Sequence, residues 1–370
     1  MGQNLGSELS KEDLRDLCFS LLREWWLAAT QALVDEAGSE AALRHLKPYF
    51  TNTGMAGAHN IPDIQGITLD ELLDRGALCY MWLLITGARS GAIFKADDES
   101  RIFEIVDCAT GGISKEGCIS LCQFTNNAGV GVGRQDFEAI LLRSLSFGDS
   151  VCHLAFRRVG IEAKVSAIDE FRVPEDKWPV PPDEELKEYL ALSLIGEAWS
   201  NATRALIDFA GPERALDRLR FHMRHAGLSF GIRMADRLGA RERRLQSILE
   251  IVELVQLLHR RKGTCTVGEG CAEGKVSECP FSSSPSEICM QYEAFFNGIC
   301  EAIDPSYEFA YDRMMTKGDK TCHWTIRKIG QTVSKDDAVP EDPIKVLKLR
   351  YARGEITREE YQRMKEELLE

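Results

Sequence analysis

Apolar residues recur at helical spacing in the first part of the chain. Ser10 can cap a helix at its start, and Gly38 can end it. Between them, one face carries Leu14, Leu17, Cys18, Leu21, Leu22, Trp25, Trp26, Ala29 and Leu33. This spacing predicts a long amphipathic helix with that face buried.

The rest of the chain mixes helical and alternating patterns. A second helix is predicted to about Phe50, followed by a loop over 51–66, where Gly, Asn and Pro are frequent. Further helices are predicted from Thr68 to near Gly87 and over 114–126, 136–143, 183–210, 212–224, 241–259 and 285–301. Strands are predicted over 91–94, 101–108, 150–159, 264–267 and 321–329. The pattern therefore indicates an α+β fold that is rich in helices and has small antiparallel sheets.

One stretch of ten residues occurs twice. Gly148 to Arg157 and Gly318 to Arg327 share the pattern Gly-Asp-x-x-Cys-His-x-x-x-Arg. Two cysteines precede each copy at nearly equal distances, and residues 21–38 resemble residues 194–211. We interpret this as an internal duplication. The predicted domains are a first repeat domain (1–170), a Pro-rich linker (171–184), a second repeat domain (185–330), a linker (331–342) and a helical hairpin (343–370).

Charge and composition narrow the function classes. A net charge of −13 argues against general nucleic-acid binding, and we interpret the basic run from His259 to Lys262 as a solvated helix face or terminus. No apolar run reaches the ~18 residues of a membrane helix. No export signal precedes Leu14, so the predicted location is the cytoplasm. The twelve cysteines are then expected to be thiols, metal ligands or core residues rather than disulfides.

The cysteines form one candidate site in each half. Side chains alternate between the two faces of a strand, so Cys152 and Cys322 point away from the histidines that follow them. Each can meet the two cysteines upstream. This thiol set can hold zinc or activate a nucleophilic cysteine, or it can simply pack in the core. The two sets are Cys108, Cys118 and Cys152, and Cys279, Cys289 and Cys322.

The other strand face carries a second candidate. His153 lies with Arg157 and His323 lies with Arg327, which suits binding of an anion or carboxylate with imidazole as acid or base. Alternatively, this face is a solvated strand surface. The neighbouring Asp149 and Asp319 are candidate ligand-binding residues, although Asp beside Gly is typical of turns.

The cysteine pattern resembles the L-2-amino-thiazoline-4-carboxylic acid hydrolase family and, more distantly, small-molecule-binding domains of the 4-vinyl-reductase type. The similar residues are Cys279-Pro280-Phe281, Cys289, Asn297-Gly298 and Gly318-Asp319-x-x-Cys322-His323. The first half is similar at Cys108, Cys118, Gly148, Asp149 and Cys152. The resemblance implies an α+β domain with a small ligand near its cysteines. Cys322 with His323, and Cys152 with His153, would then activate water and transfer protons.

The end of the chain resembles a SHOCT (short C-terminal) module. The similarity extends from Ile344 to Leu369 around a core of Gly-x-Ile-Thr-x-Glu-Glu-Tyr. It implies a helical hairpin for oligomerisation or docking of a partner protein. Alternatively, the hairpin folds onto its own domain.

These observations leave three hypotheses. The first is a protein that binds a small molecule or a metal such as zinc through the repeated cysteines and acts in sensing or assembly. The second is a hydrolase that opens a small cyclic amidine. The third is a scaffold that forms homo-oligomers or binds a partner protein through residues 343–370.

Overall fold

The computed structural model describes residues 9–65, 89–97, 100–108, 114–133, 135–160, 184–237, 245–268, 270–282 and 286–330, and positions 362 and 365. The predicted helix from Thr68 and nearly all of both linkers and the C-terminal hairpin lie outside these residues. None of the helices in these ranges has the length and apolar character that a membrane span requires.

The first half begins with two long helices, α1 (Lys11–Ala37) and α2 (Ser39–Gln65). Ser10 caps α1 as predicted, because its hydroxyl accepts the backbone N–H of Asp13 at 3.0 Å. The loop predicted over 51–66 is wrong, since α2 continues through it to Gln65. Its small residues serve close packing instead: a Cβ on Gly54 would lie 2.0 Å from the carbonyl oxygen of Thr125.

Four antiparallel strands follow, interrupted by a helical segment. They are β1 (Arg89–Asp97), β2 (Ser100–Asp107), β3 (Phe137–Arg143) and β4 (Cys152–Arg158), in the order β1-β2-β4-β3. Between β2 and β3 lie α3 (Lys115–Cys118), a π-helical turn (Ile119–Thr125) and α4 (Asn126–Gly133). The helix predicted over 136–143 is wrong. Burial alternates along that segment, with Phe137, Ala139 and Leu141 inside, which is the period of a strand.

The second half has the same plan. Its helices are α5 (Glu184–Ala210), α6 (Pro212–Arg237), α7 (Leu245–Leu258) and α8 (Ser286–Ile303). Its strands are β5 (Lys262–Val267), β6 (Cys271–Glu278), β7 (Tyr307–Arg313) and β8 (Cys322–Lys328), in the order β5-β6-β8-β7. The helix predicted over 212–224 continues to Arg237, and β6 and β7 have no counterpart among the predicted strands. The α+β class with two small antiparallel sheets is confirmed.

One hydrophobic core runs through both halves. Its largest fully buried side chains include Trp25 of α1, Trp199 of α5, Tyr292 of α8 and Trp324 of β8. Gly227 on α6 repeats the role of Gly54, because a Cβ there would lie 1.9 Å from the carbonyl oxygen of Phe295. The helices therefore cross in near backbone contact in each half.

Ion pairs join α1 to α6 along their length. Acidic residues of α1 meet basic residues of α6 in reverse order, so the two helices are antiparallel. The pairs are Asp13 with Arg237, Glu24 with Arg233, Asp35 with His222, and Glu36 with both Arg218 and Arg214. We call this set the α1–α6 seam.

Candidate functional site

The repeated ten-residue stretch forms a tight turn that leads into β4 or β8. Gly148 and Gly318 have φ angles of 92° and 94°, a left-handed conformation that glycine adopts without strain. The carboxylate of Asp149 accepts the backbone N–H of Ser144 at 2.8 Å, and that of Asp319 accepts the N–H of Met314 at 2.9 Å. Both aspartates thus hold the turn in which they lie.

The histidines and arginines of the repeat are bonded to carboxylates on neighbouring strands. Arg157 donates to Glu138 at 3.0 Å and Arg327 donates to Glu308 at 2.9 Å. Nε2 of His153 lies 3.3 Å from Oε2 of Glu104, and Nδ1 of His323 lies 2.9 Å from Oδ2 of Asp312. His153 is buried, and Ala155 on the same face packs with Ala92 and Ile102, so this face of the first sheet is not the solvated surface considered above.

Strand geometry separates each cysteine from its neighbouring histidine. Cys322 belongs to the main core and its sulfur accepts the N–H of Met315 at 3.3 Å, whereas His323 contacts acidic residues of β6 and β7. In the first half, the sulfur of Cys152 likewise accepts the N–H of Leu145 at 3.2 Å. The structure therefore does not bring the paired Cys and His to a common reaction centre.

The three cysteines of each half do come together. In the first half, the pKa of Cys118 is raised to about 11, mainly by burial and also by its neighbours Cys108 and Cys152, while a hydrogen bond with Ser146 opposes the shift. In the second half, burial also raises the pKa values of Cys289 and Cys322. These thiols are therefore neutral at physiological pH, and neutral thiols are poor nucleophiles.

The zinc hypothesis gains no support from this arrangement. Among the residues that the structure describes, no group of three or more His, Cys, Asp or Glu side chains is arranged to hold a metal ion.

Arg261 is buried beside the second cysteine set and is only 9% exposed. Its guanidinium carbon lies 3.6 Å from the ring centroid of Tyr292, and Nη1 donates to the hydroxyl of Tyr311 at 3.1 Å. Burial lowers the pKa of Arg261, but the two tyrosines together with Cys279 and Cys289 raise it by more, so the group stays charged. This arginine rests on aromatic rings and thiols rather than on a carboxylate.

His259 is 4% exposed and lies two residues before Arg261. Its Nδ1 is 3.2 Å from the hydroxyl of Tyr292, whereas its buried Nε2 has no hydrogen-bond partner among the residues that the structure describes. Burial and the nearby Arg261 hold the pKa of His259 well below its usual range, so the imidazole is neutral. Arg260 between them has a φ of 51°, a strained angle for a residue with a side chain, and this directs His259 and Arg261 to different environments.

His259 forms part of the wall of a cavity of about 600 Å³. The cavity lies where α1, α5 and the end of α7 meet the Cys279-Pro280-Phe281 segment. Its lining combines aromatic and apolar side chains with polar and charged ones. The lining residues are Cys18, Leu22, Ser193, Gly196, Glu197, Trp199, Ser200, Asn201, Arg204, Leu258, His259, Arg260, Pro280 and Phe281.

The interpretation of His259 to Lys262 as a solvated segment is wrong for two of its members. His259 and Arg261 are buried on either side of the exposed, left-handed Arg260, at the point where α7 has ended and the largely exposed strand β5 begins. A run of basic residues at a helix end does not predict that any of them is buried. The cavity also escapes the motif search, since its lining comes from four separate parts of the chain.

Comparison with known proteins identifies one segment. Residues 342–369 match the family model of the SHOCT, or short C-terminal, domain. No curated protein and no solved structure matches the chain. The resemblance to the amino-thiazoline hydrolases and the domain boundaries stay predictions.

Proposed function

We propose that the protein binds a small organic molecule in the 600 Å³ cavity beside His259. The observation that carries this proposal is a cavity whose lining includes His259, a neutral imidazole with a buried Nε2 that has no hydrogen-bond partner in the described part of the chain. A buried polar atom without a partner costs free energy, on the order of 1–3 kcal/mol, and a ligand that hydrogen-bonds to it recovers that cost. The volume lies within the range of about 300–1,000 Å³ that is common for ligand pockets.

The lining suggests an amphipathic ligand. Trp199 and Phe281 meet edge to face with ring centroids 5.8 Å apart, and they contribute aromatic surface to the lining. Among the polar lining residues, Glu197 and Asn201 are held in place by Thr53, whose hydroxyl donates to Glu197 at 2.9 Å and accepts from Asn201 at 2.8 Å. Such fixed polar groups would orient a ligand whose apolar part contacts the aromatic rings.

In this proposal the repeated cysteines support the site instead of contacting the ligand. Cys279 immediately precedes Pro280 and Phe281 in the cavity wall, and its neighbours Cys289 and Cys322 are neutral core thiols. The proposal therefore keeps the small-molecule hypothesis but moves the ligand away from the cysteines.

A cavity-filling substitution tests the proposal. An added Cβ on Gly196 would meet no atom closer than Phe281 at 4.0 Å, so Gly196→Leu should fill the cavity without a backbone clash. Gly131 on α4 is a matched control, because a Cβ there would meet nothing within 4 Å. Native mass spectrometry of the purified proteins should show a bound small molecule in the wild type and in Gly131→Leu, and none in Gly196→Leu.

A fluorescent probe covers the case in which the natural ligand is lost during purification. Anilinonaphthalene sulfonate should bind the folded wild type with one-to-one stoichiometry, and Gly196→Leu should weaken this binding at least tenfold. Equal binding by the three folded proteins, with no mass that is specific to the open cavity, would contradict the proposal.

We also propose that residues 343–370 mediate self-association or docking of a partner protein, which rests on the SHOCT match. Light scattering should then give a smaller assembly when this segment is removed. An unchanged mass, together with unchanged recovery of co-purifying proteins, would argue against it.

A further inference from the structure

Two hydrogen bonds through Gln291 tie α5 to α8 in the core of the second half. The indole Nε1 of Trp199 donates to Oε1 of Gln291 at 2.9 Å, and Nε2 of Gln291 donates to the hydroxyl of Thr203 at 3.3 Å. All three side chains are fully buried. The carboxamide of Gln291 therefore accepts one hydrogen bond and donates another inside the core.

The first half keeps the indole and the hydroxyl of this arrangement. The helices α1 and α5 have the same length of 27 residues, and aligning their first residues pairs Trp26 with Trp199 and Thr30 with Thr203. A separation of four residues places the indole and the hydroxyl on the same face of each helix. Trp26 and Thr30 are fully buried, as their counterparts are.

The third member of the arrangement differs between the halves. Aligning the first residues of α3 and α8 pairs Ser120, in the π-helical turn that continues α3, with Gln291. A Cβ on Gly117 would lie 3.2 Å from Cζ2 of Trp26, so this side of α3 faces that indole. Ser120 lies on the same side, three residues further on. Its side chain ends in a hydroxyl and has no carboxamide that could reach α1.

Three buried polar atoms of the first half have no hydrogen-bond partner among the described residues. They are Nε1 of Trp26, Oγ1 of Thr30 and Oγ of Ser120, and all three residues are fully buried. Their counterparts in the second half are the indole and the hydroxyl that Gln291 joins, and Gln291 itself. Buried polar atoms of this kind favour a ligand that supplies the missing hydrogen bonds.

We propose that the first half binds a small neutral molecule with a primary amide or urea group at Trp26, Thr30 and Ser120. Its carbonyl oxygen accepts from Nε1 of Trp26 and its N–H group donates to Oγ1 of Thr30, which repeats the two bonds of Gln291. The hydroxyl of Ser120 can donate or accept a further bond. The ligand is neutral because none of the three side chains is charged and burial of an unpaired charge is costly. This site is separate from the cavity beside His259.

Formamide is a minimal probe with the required donor and acceptor, and N,N-dimethylformamide is its matched control because it lacks the N–H groups. The chain has six tryptophans, and Trp26→Phe identifies the indole N–H signal of Trp26 in the nuclear magnetic resonance spectrum. This signal should shift saturably with formamide, at a dissociation constant no tighter than about 1 mM for so small a ligand. Dimethylformamide should bind at least tenfold more weakly, since it cannot donate to Thr30.

Exchanges between the two halves make the test specific. Ser120→Gln supplies the carboxamide from the chain itself and should abolish the response of the Trp26 signal. Gln291→Ser should have the converse effect, so that the Trp199 signal, unaffected by formamide in the wild type, then responds. Thr30→Val keeps the shape of the side chain without its hydroxyl and should weaken formamide binding at least tenfold.

Circular dichroism verifies the fold of each variant, and Thr30→Val and Gln291→Ser decide the question if Ser120→Gln unfolds. A Trp26 signal that stays unchanged up to molar formamide would show that the site takes water alone, and this would overturn the proposal. Equal responses of the wild type and the folded Ser120→Gln, or equal binding of the two probes, would overturn it as well. So would a response that Thr30→Val leaves unchanged.

Discussion

The hydroxyl oxygen of Tyr292 lies 3.2 Å from Nδ1 of His259, and the face of the same tyrosine ring carries the guanidinium of Arg261. One aromatic side chain thus separates a neutral imidazole from a buried cation. The imidazole borders the larger cavity and the cation borders the second cysteine set. Contact with both sides makes Tyr292 the central residue of the site.

Tyr292→Phe should destabilise the protein by about 1–3 kcal/mol. The ring stays under Arg261, but Nδ1 of His259 then loses its partner inside the core. Urea unfolding followed by circular dichroism measures the difference. Tyr307→Phe, at a partly buried position of β7, should change the free energy of unfolding by less than about 0.5 kcal/mol. Similar losses in the two variants would contradict this role of Tyr292.

Stability should fall in mild acid because His259 is buried in its neutral form. Its folded pKa lies well below the ordinary value of 6.5, so the unfolded chain binds more protons as pH drops below 6.5. Unfolding then becomes easier by about 1.4 kcal/mol per pH unit from this one residue. His259→Gln should show a flatter dependence between pH 6.5 and 5 in urea unfolding. An unchanged slope would show that other groups cause the loss.

Stability should also fall in alkali, because Cys118 is buried in its protonated form. Its pKa rises from 9.0 to about 11 on folding, so the folded protein keeps a proton that the unfolded chain has lost. This contribution is complete below pH 9 and decreases as pH rises toward 11, by about 2–3 kcal/mol in total. Cys118→Ala should reduce the loss over that interval. The free energy of unfolding of the wild type and of Cys118→Ala is compared between pH 8 and pH 10.5. An equal loss of stability in both proteins would refute the prediction.

Close helix contact should make Gly227 intolerant of any side chain. A methyl group there would overlap the carbonyl oxygen of Phe295 at 1.9 Å, and α6 and α8 would have to separate. We expect Gly227→Ala to cost about 3 kcal/mol. Gly131→Ala, in a helix with open space at that position, should instead stabilise by up to about 1 kcal/mol. Thermal unfolding of the two variants distinguishes these outcomes.

The sequence predicted the parts of the fold that depend on local pattern. The cap at Ser10, the strands β1, β2, β4, β5 and β8 and the α+β class follow from spacing and alternation. The failures have tertiary causes. Residues 51–66 contain helix-breaking types that here allow α2 to approach Thr125, and 136–143 form a strand because β4 provides the partner.

The candidate site was predictable only in part. Strand parity correctly separated Cys322 from His323, and it allowed each strand cysteine to meet the two cysteines upstream without requiring it. It gave no hint of His259, Arg261 or the cavity, because burial of a basic run depends on the left-handed Arg260 and on distant aromatic residues. The repeated Gly, Asp and Arg were visible as a motif, but hydrogen bonds within the turn and the sheet explain them.

In the α1–α6 seam, α1 contributes the carboxylates and α6 contributes the cations. The two halves therefore carry opposite charges at this contact. Separately produced halves would be guided to each other by opposite charge, and their encounter would slow as added salt screens the attraction. Two N-terminal halves would lack this guidance, so the seam favours the pairing of unlike halves that the single chain already enforces.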